Sequence, residues 1–206
     1  MPEPANWLAL AKASPLLAAI PQRVRRATQT QAIAKSAHLF SRGDRPQAMY
    51  FVTSGEVHLL RSSLTGDQIV LQRAQKGFLA EASLDQLRYH CDAIAVRPSE
   101  LLVIPRKAFR DTLADQAFGK IWMAHLAGEL RRVRAQAERL TLKTAEARIV
   151  HYAETEGNNG SIVLSGSKKD WANELGLTHE ALYRTLARME RNGSISVHDR
   201  TLKIVP

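Results

Sequence analysis

The sequence holds a single cysteine, Cys91, so no disulfide can form within the chain. A lone cysteine is typical of proteins from a reducing cytoplasm, and we expect this chain to act there. No apolar run approaches the roughly 18 residues that a membrane-spanning helix needs. The first residues, Met1-Pro2-Glu3-Pro4, lack the basic and then apolar pattern of a signal peptide. We therefore expect neither export nor membrane insertion.

Motifs of common enzyme classes are also missing. The chain contains neither a glycine-rich nucleotide-binding loop nor a Gly-x-Ser-x-Gly nucleophile elbow. Metal oxygenases built on jelly rolls need two histidines close together on one strand. No two histidines of this chain lie within about a dozen residues of each other: they are His38, His58, His90, His125, His151, His179 and His198. The sequence thus predicts no enzymatic activity and no metal site of that kind.

Acidic residues are scarce relative to basic ones, and the formal net charge is +9. Such an excess favours an anionic partner. The excess is uneven, because residues 1–45 contain seven lysines and arginines against two acids, whereas residues 143–206 contain nine against eight. A DNA-binding role for the C-terminal part must therefore be argued from the placement of particular residues.

Hydrophobic patterning separates an N-terminal β-rich part from the remainder. Residues 1–27 predict a short helical start, and residues 28–106 contain short apolar runs separated by glycine turns. The clearest runs are Met49–Val52, Val57–Leu60, Ile69–Leu71 and Leu101–Ile104. This rhythm is typical of a β sandwich or jelly roll, which we predict for residues 1–110.

Between about Lys107 and Leu140 the chain has no proline, and its apolar residues follow helical spacing. They are separated by three and four residues in alternation, at Met123, Leu126, Leu130, Val133, Ala137 and Leu140. This is the a/d pattern of a coiled coil, and we call these six residues the seam. A narrow seam on a long helix favours self-association, so we predict a dimerisation helix over residues 111–142 and a homodimer. The alternative is a helix whose seam packs on its own domain.

Residues 167–190 have the pattern of two short helices joined by a tight turn. Ser167 and Asp170 form a capping-box pattern where the first helix should begin. Gly176 ends that helix, since a left-handed backbone is easiest for glycine, and Thr178 caps the next one. The buried stripe of the second helix is predicted at Leu182, Leu186 and Met189.

Two short strands are expected next, at residues 195–197 and 202–205, with a wing between them. A helix-turn-helix with such a wing is typical of DNA-binding domains, and we predict one over residues 143–206. The outward side chains expected to meet base edges are His179, Glu180, Tyr183, Arg184 and Arg188. Those expected to meet phosphates are Lys168, Lys169 and Arg200. The plainer alternative for Glu180 and Arg184 is an ordinary surface ion pair one helical turn apart.

In this order of parts, the sequence resembles the CRP/FNR family of bacterial transcription regulators over nearly its whole length. The resemblance is carried by Gly43-Asp44, by Tyr50-Phe51-Val52 with Gly55 and Val57, by Gly77-Phe78 with Ala80-Glu81, and by Glu180 with Arg184. His179 replaces the first arginine of the family's Arg-Glu-x-x-x-Arg pattern. The resemblance implies an α+β chain with an N-terminal β-roll sensor (a double-stranded β-helix or jelly roll), a long dimerisation helix and a C-terminal winged helix-turn-helix. It also implies a homodimer on palindromic double-stranded DNA, with RNA polymerase as a further partner.

The sensor departs from the family pattern. Members that bind cyclic nucleotides hold the ribose with the glutamate of a Gly-Glu-Leu segment and the cyclic phosphate with a following Arg-Ser pair. Here the resemblance places Glu81 and Ala82 in the first segment, but Tyr89 and His90 at the Arg-Ser positions. Without that arginine a cyclic phosphate loses its strongest charge-assisted hydrogen bonds, so cyclic AMP is not favoured. The expected effector pocket comprises Glu81, Ala82, Tyr89, His90 and Cys91.

Several signals are left open by the sequence. An iron–sulfur cluster is excluded, because it needs about four thiolates. Haem or metal sensing through His90-Cys91, a redox role for Cys91, an unidentified small ligand and no ligand at all are the alternatives. For the chain as a whole, the alternative to a DNA-binding regulator is an interaction module whose winged helix contacts another protein.

Overall fold

The structure is a computed structural model that describes residues 6–62, 68–164 and 167–205, apart from the side chains of Gln68 and Asp170. The Asp170 half of the predicted capping box therefore lies outside the described residues. The chain forms two compact units, residues 1–124 and 125–206.

The first unit is built from short helices and antiparallel strands. Its helices include α1 (Trp7–Ala13), α2 (Pro15–Ala18), α3 (Gln22–Ala27) and α4 (Arg106–Thr112), with one 3-10 turn at Glu81–Ser83. Its strands are β1 (Gln29–Ile33), β2 (His38–Phe40), β3 (Ala48–Ser54), β4 (Val57–Ser62), β5 (Gln68–Ala74), β6 (Gly77–Leu79), β7 (Asp92–Ala95) and β8 (Ser99–Pro105). They form two four-stranded sheets of order β1-β8-β3-β6 and β2-β7-β4-β5. The predicted jelly roll is confirmed.

Strand β3 is buried on both faces, which explains why its sequence is continuously apolar. Successive side chains of a strand point to opposite sides. Tyr50 and Val52 lie in the core between the two sheets. Met49 and Phe51 point to the other side, where they pack with residues of α1 to α4. The first unit therefore has two apolar cores that share one sheet.

The long helix begins later than the predicted start at residue 111. Residues 113–115 interrupt the helical run, and α5 covers Gln116–Thr141. Asp115 causes the new start, because its Oδ1 accepts a hydrogen bond from the Phe118 backbone N–H at 2.9 Å, as a helix N-cap does. The large seam side chains are exposed, with Met123 at 71%, Leu126 at 40%, Leu130 at 51%, Val133 at 61% and Leu140 at 46%. Among the described residues, these five side chains stay largely exposed in the single chain.

The second unit contains the end of α5 and a small α/β fold. Its other elements are α6 (Ala145–Glu156), β9 (Ser161–Val163), α7 (Lys168–Glu174), α8 (His179–Arg191), β10 (Ile195–His198) and β11 (Thr201–Ile204). The expected hairpin, β10 and β11, is joined by β9 on the far side of β11. The sequence did not predict β9, because three residues are too few to show a strand pattern and their partner lies about forty positions away. The predicted stripe of α8 is confirmed, since Leu182, Leu186 and Met189 are buried.

Of the helices described, none combines the length and the apolar composition that crossing a bilayer would require.

Candidate nucleic-acid interface

The turn between α7 and α8 is fixed by local backbone geometry. Gly176 has a φ of 63°, a left-handed conformation that glycine adopts without strain. The Leu177 N–H donates to the Ala172 carbonyl at 2.9 Å, which closes the end of α7. Thr178 then caps α8, its hydroxyl oxygen accepting from the Ala181 N–H at 3.1 Å. The start of α8 is therefore held at a defined angle to α7.

Arg148 on α6 fastens this turn to the end of α5. Its guanidinium donates to the carbonyls of Leu140 at 3.3 Å and Leu142 at 2.9 Å. It also donates to the carbonyls of Leu175 at 3.2 Å and Gly176 at 3.0 Å. Carbonyls at helix ends lack intrahelical partners and attract cations, so one side chain satisfies two helix ends at once.

Arg139 makes a second connection, this time from α5 to α6. The residue is only 2% exposed, and its guanidinium lies 4.5 Å from the centre of the Tyr152 ring. It donates to Thr155 Oγ1 at 3.2 Å and to Glu156 Oε1 at 3.3 Å. The Tyr152 hydroxyl in turn donates to Glu174 Oε2 at 2.9 Å. Burial, and then the Glu174 carboxylate, raise the pKa of Tyr152, so the phenol keeps the proton that it donates.

The outward face of α8 carries the residues predicted to meet base edges. His179, Glu180, Tyr183, Arg184 and Arg188 are all exposed. At 3.6 residues per turn, Glu180 and Arg184 lie opposite the buried stripe. They form no ion pair with each other, and neither side chain has a hydrogen-bond partner within the described ranges. The plainer alternative, an intrahelical ion pair, is not what the structure shows.

The two flanks of α8 are occupied differently. On one flank the His179 and Tyr183 rings have centroids 4.5 Å apart at 56°, and Lys168 Nζ lies 4.6 Å from the Tyr183 ring centre. On the other flank Arg188 Nε contacts Glu146 Oε1 at 3.0 Å, an ion pair with α6. Arg188 is therefore already engaged, a contact that its sequence neighbours did not reveal.

The residues predicted for phosphate contacts lie around α8 but not in one cluster. Lys168 and Lys169 are exposed at the start of α7. Arg200 is exposed in the turn between β10 and β11, where its Nε donates to the Leu164 carbonyl at 3.1 Å. The structure thus places exposed cations at the start of α7 and on the wing between β10 and β11.

The five residues predicted for an effector pocket do not share one surface. Tyr89 and Cys91 are buried between the sheets, whereas His90 and Ala82 are exposed and Glu81 is half-buried. His90 and Cys91 lie on different sides of the same segment, so they do not face one ligand together.

Tyr89 fills space inside the roll together with Phe40. Their rings stack with centroids 3.6 Å apart at an interplanar angle of 9°, and Tyr50 lies against Phe40 at 5.9 Å. The Tyr89 backbone is fixed as well, since its N–H donates to the Asp44 carbonyl at 2.9 Å. Burial is the main cause that raises the pKa of Tyr89, so the phenol stays neutral. A tyrosine has no cationic form, and it therefore does not replace the positive charge of an arginine. Phe40 could not be predicted as part of this cluster from the sequence, because its partner lies 49 positions away.

The carboxylate of Glu81 is held by a neighbouring amide. Gln72 Nε2 donates to Glu81 Oε2 at 3.1 Å, and Gln72 Oε1 accepts from the Ala80 N–H at 3.2 Å. Ala80 has a φ of 63°, so this short segment needs such support. The residue that resembles the ribose ligand is thus bound within the chain.

Cys91 is buried, and its thiol is expected to be unreactive. Burial, and then the Asp92 carboxylate, raise the pKa of the Cys91 thiol, which lowers the fraction of reactive thiolate. Within the residues that the structure describes, no three histidine, cysteine or acidic side chains are grouped as a metal site. These observations give no support to a redox or metal-sensing role at this position.

A jelly-roll unit, a long helix with an exposed seam and a winged helix-turn-helix together define the architecture of CRP/FNR-type transcription regulators. Residues 30–116 match the family model described as the cyclic nucleotide-binding domain. Solved structures of such regulators align with nearly the whole chain, and the predicted resemblance to the CRP/FNR family is confirmed.

Three solved structures illustrate the likeness. DNR from Pseudomonas aeruginosa, a transcriptional regulator, is 25% identical over 100% of this chain and 96% of its own, with a TM-score of 0.57. FixK2 from Bradyrhizobium japonicum is 19% identical over 87% and 93%, with a TM-score of 0.64. The catabolite activator protein of Thermus thermophilus is 24% identical over 93% and 94%, with a TM-score of 0.51. The last two show the fold alone. No curated protein sequence matches this chain.

Proposed function

We propose that this chain is a transcription regulator that binds double-stranded DNA in a sequence-specific manner through α8. The observation that carries the proposal is the outward pair Glu180 and Arg184, exposed and without partners among the described residues, on a helix whose start is fixed by Thr178 and Gly176. Arginine can pair with guanine O6 and N7, and glutamate can accept from cytosine N4. A bacterial regulator of this kind acts in the cytoplasm and affects transcription through RNA polymerase.

We further propose that the regulator acts as a homodimer on a palindromic operator. The α5 seam exposes five large apolar side chains, which a second copy of the same helix would cover. A two-fold pair places its recognition helices about 34 Å apart, one turn of DNA. The operator is then a palindrome of roughly 14–20 base pairs.

Dimer formation can be tested by sedimentation velocity over a range of protein concentrations. Leu130→Glu places a charge in the seam, and we expect the dimer dissociation constant to rise at least about tenfold. Ala124→Glu adds the same charge at an exposed α5 position outside the seam and should leave dimerisation unchanged. Equal effects of the two substitutions, or a monomeric wild-type chain, would contradict the proposed interface.

We propose that DNA binding does not require a cyclic nucleotide. Tyr89 and Glu81 stand at positions that such a ligand would need. Tyr89 is stacked on Phe40, and Glu81 accepts a hydrogen bond from Gln72, so both already have contacts within the chain. Any signal at this domain would have to bind one of two conformations better than the other in order to shift the balance between them.

The decisive experiment is selection from a randomised duplex library with the purified chain, with and without cyclic AMP, followed by sequencing. A palindrome enriched equally in both conditions is the expected result. Enrichment only with cyclic AMP would refute the ligand-independent proposal while keeping the DNA-binding one. No enrichment in either condition would refute the DNA-binding proposal as stated and favour the alternative of a winged helix that contacts another protein.

A further inference from the structure

Tyr183 is an exposed aromatic side chain that its neighbours hold in one place. It is 43% exposed, on α8 next to Arg184. The His179 ring lies one turn earlier with its centroid 4.5 Å from that of Tyr183. Lys168 Nζ approaches the same ring from α7, at 4.6 Å from its centre. The ring therefore has contacts from its own helix and from α7, which restrict its orientation.

This fixation matters because an ordered side chain loses less entropy when it binds. An aromatic ring has only two side-chain torsions, and contacts such as the cation–π approach of Lys168 restrict them further. Binding surfaces gain affinity when their contact groups are already oriented before the partner arrives. The core of the second unit does not explain the arrangement, since Tyr183 lies outside the buried stripe of α8.

The position of the ring defines what it can meet. Tyr183 lies on the flank of α8 that faces the start of α7, whereas Glu180 and Arg184 lie opposite the core. Lys168 on that flank is suited to a phosphate, so the ring lies between the base-reading face and a backbone-contacting cation. The apolar group that DNA presents in the major groove is the C5-methyl of thymine.

We propose that Tyr183 is a specificity-determining residue that recognises a thymine in each operator half-site by packing its ring against the thymine methyl. The inference rests on the proposed function, because it requires α8 to enter the major groove. Lys168 acts as a positioning residue in this arrangement, since its ammonium both approaches a phosphate and holds the ring. His179, which replaces an arginine of the family pattern, supports the ring from the neighbouring turn.

The test uses the full chain and the palindrome recovered from the duplex selection. Each thymine is replaced in turn by deoxyuridine, which removes only the methyl group, symmetrically in both half-sites. For the wild-type chain we expect one position per half-site at which the replacement weakens binding about fourfold. Tyr183→Ala should bind the thymine and deoxyuridine duplexes equally, whereas Tyr183→Phe should keep the wild-type ratio.

A lysine pair provides the matched control for the positioning role. Lys168→Gln and Lys169→Gln each remove one cation from the start of α7, and both should weaken binding to any sequence. Only Lys168→Gln should also reduce the thymine-to-deoxyuridine ratio, because Lys169 makes no ring contact among the described residues. Equal ratios for the two variants would remove Lys168 from the positioning of Tyr183.

Other results would overturn the inference as a whole. If no thymine shows a methyl effect, or if Tyr183→Ala retains that effect, Tyr183 does not recognise the methyl group. If Tyr183→Phe is as impaired as Tyr183→Ala and deoxyuridine has no effect, the hydroxyl contacts a phosphate instead. Each of these results is distinct from a failure of the proposed function, in which the wild-type chain enriches no operator at all.

Discussion

The interior of the β-roll and the outward face of α8 treat similar side chains in opposite ways. In the roll, Tyr89 is buried against Phe40, and the Glu81 carboxylate accepts a hydrogen bond from Gln72. On α8, Tyr183 is exposed, and Glu180 and Arg184 have no partner among the described residues. In the roll, the Tyr89 ring and the Glu81 carboxylate have contacts within the chain, whereas the charged groups of Glu180 and Arg184 face outward from α8.

The difference separates residues that stabilise a fold from residues that recognise a partner. A buried polar or aromatic group that already has its contacts gains little from a ligand and costs free energy to release. An exposed charge on a rigid helix has no such cost. The first unit therefore has the fold of the cyclic nucleotide-binding domain with an interior adapted to its own side chains, while the proposed recognition surface lies on the winged helix-turn-helix.

The largest expected effect comes from a substitution in the interior of the β-roll. Phe40→Ala removes a ring packed between the sheets, and we expect the free energy of unfolding to fall by about 3–5 kcal/mol in a urea titration. Leu87→Ala, at a position that is 86% exposed, should change it by less than about 0.5 kcal/mol. A loss below about 1 kcal/mol for Phe40→Ala would mean that the stack contributes little to the core.

The next largest effect is expected on the outward face of α8. Arg184→Ala should weaken operator binding by about 1–3 kcal/mol and relax the preference at one base pair per half-site, measured by titration on single-substitution duplexes. Arg184→Lys keeps the charge but loses the two-pronged contact, so it should recover affinity for all sequences and not the preference. Unchanged specificity in Arg184→Ala would exclude this residue from direct readout.

An effect of comparable size, on folding stability instead of binding, is expected at two glycines with positive φ, Gly176 between α7 and α8 and Gly193 after α8. A Cβ at Gly176 would lie 2.7 Å from Leu140 Cδ2, in addition to the strain of a positive φ. Gly193 also has a positive φ, of 76°, but a Cβ there would meet nothing within 4 Å. We expect Gly193→Ala to cost about 1–2 kcal/mol of unfolding free energy from strain alone, and Gly176→Ala to cost more. Equal losses would show that Leu140 moves aside without cost.

The smallest effect concerns Cys91. Since its thiol is buried and its pKa is raised, the native chain should react with a maleimide much more slowly than the chain unfolded in guanidinium chloride. Mild oxidant at neutral pH should leave operator affinity unchanged. Rapid labelling of the native chain, followed by a loss of DNA binding, would restore a redox role for this residue.

Local signals made much of the helix-turn-helix predictable from the sequence. The turn at Gly176, the cap at Thr178 and the apolar stripe of α8 each depend on residues within about two helical turns of one another. The start of α5 also depends on a local signal, the cap at Asp115, but the prediction extended the helix past it. In contrast, the stack of Phe40 on Tyr89 and the ion pair of Arg188 with Glu146 join distant segments. Periodicity and capping carry no information about such partners, so the structure was needed to find them.

The four carbonyl contacts of Arg148 have a mechanical consequence. A single guanidinium joins the end of α5 to the end of α7, so we expect a movement of the α5 end to carry the α7–α8 turn with it. Base pairs rise about 3.4 Å along the DNA axis, so in the proposed complex a displacement of α8 by that distance along the axis would move its contacts by one base pair. The range of spacings between operator half-sites that the protein tolerates would then measure how rigid the Arg148 connection is.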